Sequence, residues 1–353
     1  MEGKRLLVFC NQLGKSLFST GIELLSKRND VQLIIRDDSY STDLRSSGYS
    51  LLRILKKLAF RYREIALDKI MSEQLEGNYD YFIAIGYYQV NPILLNIVKK
   101  ENPNCKFIIY FYDSFCRLDF SNDIKLFDSC FTYDRLDAEK YHINYLPLFV
   151  EEYPKQPLIY DMCHIGAWTP GHVYRVPVLS QIMKQMPDLN YYFKCPFQNI
   201  DTFSFKRKML FWVRSVFNRE YRLYKSFYCK YKTDIVLSES KMSYLQIKEK
   251  EAASKCIVEI NAKRAGLSPR VLNALANGKK LIINNFFIMD EVFYNPSNIQ
   301  IIDETNPLIK REFLDTPVEF CDLSDLKITN WLDILFENKD NRYNISKRPK
   351  MTS

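Results

Sequence analysis

The sequence reads as α/β, two doubly wound units in tandem. Short apolar strands alternate with helical segments along most of the chain, the pattern of parallel sheets covered on both faces. Its 353 residues, 47% of them hydrophobic, are enough for two packed cores. The alternation stops once, at Glu151–Pro157, where two prolines and mixed charge mark a linker, and then restarts. Expected domains are therefore 1–154 and 155–353.

Each element has a local reason. Arg5–Cys10 is a strand and Phe18–Ser26 a helix, with the polar stretch between them read as a loop. Val31–Ile35 is a strand, Tyr49–Met71 a long helix and Tyr81–Gly86 a third strand. Asn91–Lys99 is a helix behind a proline start, followed by strands Lys106–Tyr112 and Phe127–Tyr133 and the short helix Asp137–Tyr141. Beyond the linker come strand Met162–Gly166, a helix near Val176–Gln185, and strands Asn190–Cys195 and Asp234–Leu237. A helix near Lys241–Ala253 and strand Cys256–Ile260 follow.

Ala265–Asn285, AGLSPRVLNALANGKKLIINN, is the densest stretch. Ser268 can cap a helix, and Pro269 at its first position lacks an N–H that would have no partner there. Gly278 suits the left-handed cap at the far end, and strand Lys280–Asn284 follows. Free N–H groups at such a start, with Arg270 in the first turn, make a phosphate site. Geometry alone fits equally a plain helix–strand unit.

Several site types are not expected. There are 10 glycines and no GxGxxG, so NAD-type binding is not expected. Gly14-Lys15-Ser16 lacks the first glycine of a P-loop. Three histidines without paired spacing and no DxD triplet at a strand end leave no metal site in view. Nine cysteines without CxxC spacing read as free thiols of a reducing compartment. No apolar run approaches the ~20 residues of a membrane span, and the N-terminus lacks a signal-peptide pattern.

Charge is concentrated. Phe205–Lys232 holds nine basic residues and one acid, Glu220, an excess equal to the net charge of +8 on the whole chain. Met209, Trp212, Val213, Val216, Phe217, Tyr224 and Phe227 fall on one side of a helical projection. Arg207, Arg214, Arg222 and Lys225 fall on the other. Such a segment is either a helix on an anionic membrane surface or a core helix with a solvated basic face. A second basic stretch, Leu51–Arg63, reads as core packing. With the remainder neutral and no nucleic-acid fold pattern, nucleic acid is not an expected partner.

Four stretches in this order and spacing resemble the GT-B glycosyltransferases that build bacterial lipopolysaccharide or capsule. They are Phe127–Phe149 (FDSCFTYDRLDAEKYHINYLPLF), Tyr160–Trp168 (YDMCHIGAW), Gly266–Asn285 and Phe293–Asp303 (FYNPSNIQIID). The resemblance implies two Rossmann-like domains facing a central cleft, acceptor-side first and nucleotide-sugar-binding second. It implies transfer from a nucleotide sugar without metal or cofactor. UDP is favoured by its frequency among such enzymes, and the acceptor would be lipid-linked or lipopolysaccharide. The place would be cytoplasmic, peripheral on the inner face of the cytoplasmic membrane.

For such chemistry the donor contacts are Arg264, Gly266, Ser268 and Arg270, with Lys263 adjacent. Arg175 resembles an arginine of the family. Asn273 stands where the family pattern has an acid for the donor ribose, and its departure leaves that contact in doubt. Candidates for the base are Asp113, at the end of a strand in YFYDSF, and His172, in the loop TPGHVYR. Asp134 and Asp137 read as helix caps and His164 as a core histidine. Arg207, Trp212, Arg214, Phe217, Arg222 and Lys225 are the membrane-facing candidates. Against the enzyme stands a non-catalytic binding or scaffold subunit of a polysaccharide assembly complex. A sugar-nucleotide epimerase is a weaker third reading, for which the basic segment has no use.

Overall fold

The computed structural model describes residues 2–36, 75, 77–86, 92–116, 121–240, 242–261, 265–337 and 341–343. The expected helix Tyr49–Met71, the stretch Leu51–Arg63, and Lys263 and Arg264 lie outside the described residues.

The chain divides into two units, Met1–Leu148 with Asp325–Ser353, and Phe149–Ser324. In the first, strands β1 (Arg5–Asn11), β2 (Asp30–Arg36), β3 (Tyr81–Ile85), β4 (Lys106–Phe111), β5 (Ser129–Thr132) and β6 (Asn144–Tyr145) form one parallel sheet. Their order is β2-β1-β3-β4-β5-β6. Among the described residues before the crossover, its helices are α1 (Gln12–Leu17), α2 (Ser19–Arg28), α3 (Pro92–Glu101) and α4 (Arg135–Tyr141). The stretch after β1 is thus a helix and not a loop, because the Asn11 side chain accepts from the Gly14 N–H at its start. Asp134 caps α4, accepting from Leu136 and Asp137 N–H groups. Asp137 is not a cap. Its buried carboxylate accepts from Phe115 N–H at 2.7 Å.

The second unit repeats the plan. Strands β7 (Tyr160–Ile165), β8 (Tyr191–Pro196), β9 (Leu237–Ser238), β10 (Ser254–Glu259), β11 (Lys280–Ile283) and β12 (Ile299–Ile301) lie parallel in the order β12-β11-β10-β7-β8-β9. Its helices are α5 (Arg175–Gln185), α6 (Phe205–Phe217), α7 (Arg219–Tyr231), α8 (Tyr244–Ala252), α9 (Pro269–Ala276) and α10 (Arg311–Asp315). β7 and β10 are neighbours from which the sheet winds in both directions, so the switch point of the sheet lies between their carboxyl ends.

The boundary differs from the expected 154/155 division, because the chain returns. Helix α11 (Ile328–Glu337) belongs to the first unit. Trp331 is fully buried there, its indole N–H donates to Pro147 O at 2.8 Å, and its ring meets Tyr110 edge-on at 4.8 Å. A Cβ added at Gly21 of α2 would lie 3.1 Å from Ile328 Cδ1, so the small residue sets how closely these helices pack.

The expected linker is also tied down. Glu151 N–H donates to Asn273 Oδ1 at 2.8 Å and Tyr153 N–H to Asn277 Oδ1 at 2.7 Å. Asn277 Nδ2 returns a bond to Glu151 O at 2.9 Å. Two asparagines one helical turn apart, Asn273 on α9 and Asn277 at its C-cap, thus hold this stretch to the second unit.

Candidate functional site

The carboxyl ends of β7, β10 and β11 in the second unit carry a connected polar network. β10 ends on Glu259, which is 1% exposed. Helix α9 begins opposite it. Ser268 has the extended backbone of an N-cap, but its hydroxyl donates to Glu259 Oε1 at 3.0 Å instead of capping the helix. Gly266 lies in the bend just before it.

Arg270 is held by two buried carboxylates. Its Nη1 is 2.5 Å from Glu259 Oε2 and its Nε 2.7 Å from Glu251 Oε1 on α8. Tyr153 donates its hydroxyl to the other Glu251 oxygen at 3.0 Å. Burial works to raise the Glu259 pKa, but the charges of Arg270 and Arg175 outweigh it and hold the group at about 2. At Glu251 burial wins over Arg270, and the pKa lies above the ordinary value. The expectation of Arg270 as a phosphate ligand therefore meets a different arrangement, in which the guanidinium neutralises carboxylates of its own unit. The sequence signal was available only in part. Glu259 is an acid at the end of an apolar strand, but Glu251, on the preceding helix, is not paired with it by any spacing.

Arg175 opens α5 and is also committed. It is 7% exposed; Nε donates to Ile260 O at 2.9 Å, Nη1 to Ala167 O at 2.7 Å and Nη2 to Asn261 Oδ1 at 3.1 Å. It ties the turn after β7 to the turn after β10. Burial, offset in part by Glu259, lowers its pKa to about 10. Gly166 makes this possible, since an added Cβ would lie 2.9 Å from Arg175 Nη1 and 3.0 Å from His164 Nε2. Asn284, just past β11, accepts from Asn261 N–H and donates to Asn261 O and to Glu304, each at 2.9 Å. Asn261, Asn284 and Gly166 are the rim residues that sequence reading missed.

His164 is the core histidine expected, with one qualification. Its Nδ1 lies 2.7 Å from Val258 O, so that nitrogen carries the hydrogen, while buried Nε2 has no hydrogen-bond partner. Burial first, then the Arg175 and Arg270 charges, push its pKa down to about 3.

Asn273, expected at the donor ribose, is 4% exposed with its carbonyl committed to Glu151 N–H. His172 sits half-buried in the turn Pro170–His172 of the second unit. Asp113, 7% exposed, follows β4 in the first unit, where Oδ1 accepts from Ser114 N–H at 3.1 Å. Near it Asp137 has its pKa raised to about 6, chiefly by burial.

The basic segment resolves into two helices that divide the two sequence readings between them. The break is Asn218, whose side chain caps α7 by accepting from Glu220 and Tyr221 N–H groups. α7 is a core helix with a solvated basic face. Tyr224 and Tyr228 are buried, and Arg222 and Lys225 are exposed. α6 is the reverse. Phe205, Met209, Trp212, Val213 and Val216 share one stripe and are exposed, Trp212 by 58%, with Phe217 beyond them at 85%. Lys206 and Lys208 flank the stripe. Arg207 and Arg214, expected at a membrane, turn the other way. The Arg207 guanidinium lies 4.5 Å from the centre of the Phe203 ring, and Arg214 Nη1 donates to Tyr221 OH at 3.2 Å. Among the described residues, no helix is long and apolar enough to cross a membrane.

No family model matches the chain, and no curated protein matches it either. Solved structures do. The α,α-trehalose-phosphate synthase (UDP-forming) of Burkholderia vietnamiensis superposes with a TM-score of 0.55 at 11% identity, over 95% of this chain and 99% of that one. The N-terminal domain of Candida albicans trehalose-6-phosphate phosphatase gives 0.55 at 10% identity, over 96% and 98%. The sucrose-phosphate synthase of Thermosynechococcus elongatus gives 0.50 at 9%, over 86% and 88%. At such identities the likeness speaks to architecture alone, and the architecture is the GT-B fold, two Rossmann-like units in one chain.

Proposed function

We propose that this chain is a glycosyltransferase that moves a sugar from a nucleotide donor to a lipid-linked or lipopolysaccharide acceptor at an anionic membrane surface. The observation that carries the membrane part is α6, an amphipathic helix whose Trp- and Phe-bearing face is open to solvent and flanked by lysines. In this reading the protein is peripheral, on the inner face of the cytoplasmic membrane. The donor part rests on the fold and on the rim around the switch point, where doubly wound sheets bind ligands.

In this reading the rim is built by Arg175, Asn261 and Asn284, while Arg270 supports it from behind. Lys263 and Arg264 follow Asn261 in sequence and supply the positive charge for the diphosphate, with Gly266 and Ser268 leading into α9. No metal or other cofactor is invoked. A UDP donor is favoured, in keeping with the UDP-forming synthase of the same fold. The base that deprotonates the acceptor is Asp113 or His172.

The alternative, a non-catalytic scaffold subunit, draws on one observation. Asn273 stands where the family pattern has its acid, and its carbonyl is held by the chain itself. Donor binding does not separate the two readings, because an inactive relative can still bind. Acceptor-dependent release of UDP from UDP-sugars does: release supports the enzyme, and binding without release supports the scaffold.

A further inference from the structure

We infer that a cavity in the second unit, between the Trp168–Pro170 turn and helices α6 and α7, binds a small ring compound carrying a phosphate group. The cavity measures about 170 Å³. Its walls are aromatic, including Trp168, Phe203, Phe211 and Tyr224, and Arg207 and Arg214 stand among them.

The two guanidiniums motivate the assignment. They are seven residues apart on α6, two turns or about 10 Å along its axis, so they mark two ends of the cavity with Leu210 and Phe211 between. Neither has a carboxylate partner among the described residues. Arg207 Nη2 donates to Gln198 Oε1 at 3.3 Å, and Arg214 lies 5.6 Å from the centre of the Tyr221 ring. The acid in the neighbouring turn, Asp201, is already paired with Lys232 at 3.0 Å. Guanidinium groups held on aromatic rings, with donors left over, suit an anion that also brings a flat or apolar body.

The floor is preformed. Trp168 is 1% exposed, its backbone N–H donates to Pro196 O at 2.8 Å, and its indole N–H to Val173 O at 3.0 Å. Tyr224 stacks obliquely on it at 4.8 Å and donates its hydroxyl to Trp168 O. The floor therefore continues the carboxyl edge of β7 and β8, the usual side for ligands in such sheets. Size limits the occupant. Pockets for drug-sized ligands run to roughly 300–1,000 Å³, so this cavity takes a ring and its phosphate, not a whole nucleotide sugar. The site is thus separate from the donor rim and does not depend on the glycosyltransferase reading.

The test is calorimetric titration of the full chain with phenyl phosphate, phenol and inorganic phosphate. Phenyl phosphate should bind at least tenfold more tightly than either fragment. Arg207→Gln and Arg214→Gln should each weaken it by roughly tenfold or more, the scale of a lost charge-assisted bond. Lys206→Gln with Lys208→Gln, which removes twice the charge of either arginine variant from the outer face of α6, should leave it unchanged. Leu210→Glu is half-exposed and tolerable to the fold, and should abolish binding by placing a carboxylate at the cavity wall. Absence of binding, equal affinity for inorganic phosphate, or equal loss in the lysine variant would overturn the assignment.

Discussion

Arg270 and Glu259 meet at 2.5 Å at the junction of α9 with the end of β10, and Glu251 closes on the same guanidinium from the other side. Removing the arginine leaves two buried carboxylates without their direct ion-pair partner, with only the more distant Arg175 charge still acting on Glu259. Arg270→Ala should therefore cost about 3–5 kcal/mol of stability, the scale for breaking a buried pair. Urea denaturation measures it. A stable Arg270→Ala variant that had merely lost diphosphate affinity would restore the direct phosphate role.

Most of the two-sheet architecture was legible, because strands such as Lys106–Phe111 and Lys280–Ile283 are apolar runs bounded by turn residues. The short edge strands Asn144–Tyr145 and Ile299–Ile301 were not, since two or three residues carry no periodicity. The return of α11 to the first unit was hidden for another reason. Ile328–Glu337 is plainly amphipathic, but only contacts such as Trp331 with Tyr110 and Pro147 say which core it completes. At the site, Ser268, Pro269 and the Gly278 cap, which has φ +65°, stood where local chemistry put them. Arg270, Arg175 and Asn273 find their partners on distant segments, so their spacing alone points them at a ligand.

Acid should destabilise the second unit through His164. Its folded pKa of about 3 lies below its ordinary value, so the unfolded chain takes up a proton that the folded chain refuses. That stability is fully present above about pH 6.5 and falls as pH drops towards 3, by about 2 kcal/mol at pH 5. Glu259 adds a lower window, from about 4.5 to 2, with the same sign. Urea midpoints at pH 7 and pH 5 should differ less in His164→Asn than in the wild type. An equal difference would show that His164 does not titrate this way.

Two glycines should resist substitution for different reasons. At Gly86 the backbone has φ +61°, and an added Cβ would fall 1.6 Å from the Tyr112 ring. Gly86→Ala should prevent the first unit from folding unless Tyr112 moves, breaking its bond to Asn11. At Gly166 the obstruction is milder, 2.9 Å from Arg175 Nη1, and Gly166→Ala should cost about 1–3 kcal/mol as the clamp shifts. Thermal melts of the two variants should rank in that order.

Vesicle binding should track the outward stripe of α6 and not its inner arginines. Trp212→Ser with Phe217→Ser should release the protein from anionic vesicles without lowering Tm, since both side chains are exposed. Arg207→Gln with Arg214→Gln should leave it bound. High salt should weaken the attraction, because charges are screened beyond ~10 Å at 0.1 M. Co-sedimentation at two salt concentrations reads all three, and retention of the stripe variant would return α6 to a role away from lipid.

Sugar transfer at a membrane is the activity proposed for this chain. The direct measurement supplies radiolabelled UDP-sugars and anionic vesicles carrying a lipid-linked glycan acceptor, and counts label in the lipid fraction. The wild type should transfer label to lipid, and transfer from vesicles should be lost when Trp212 and Phe217 become serine. Nucleotide-sugar binding with no label in lipid, for every donor and acceptor offered, would contradict it and leave the scaffold reading standing.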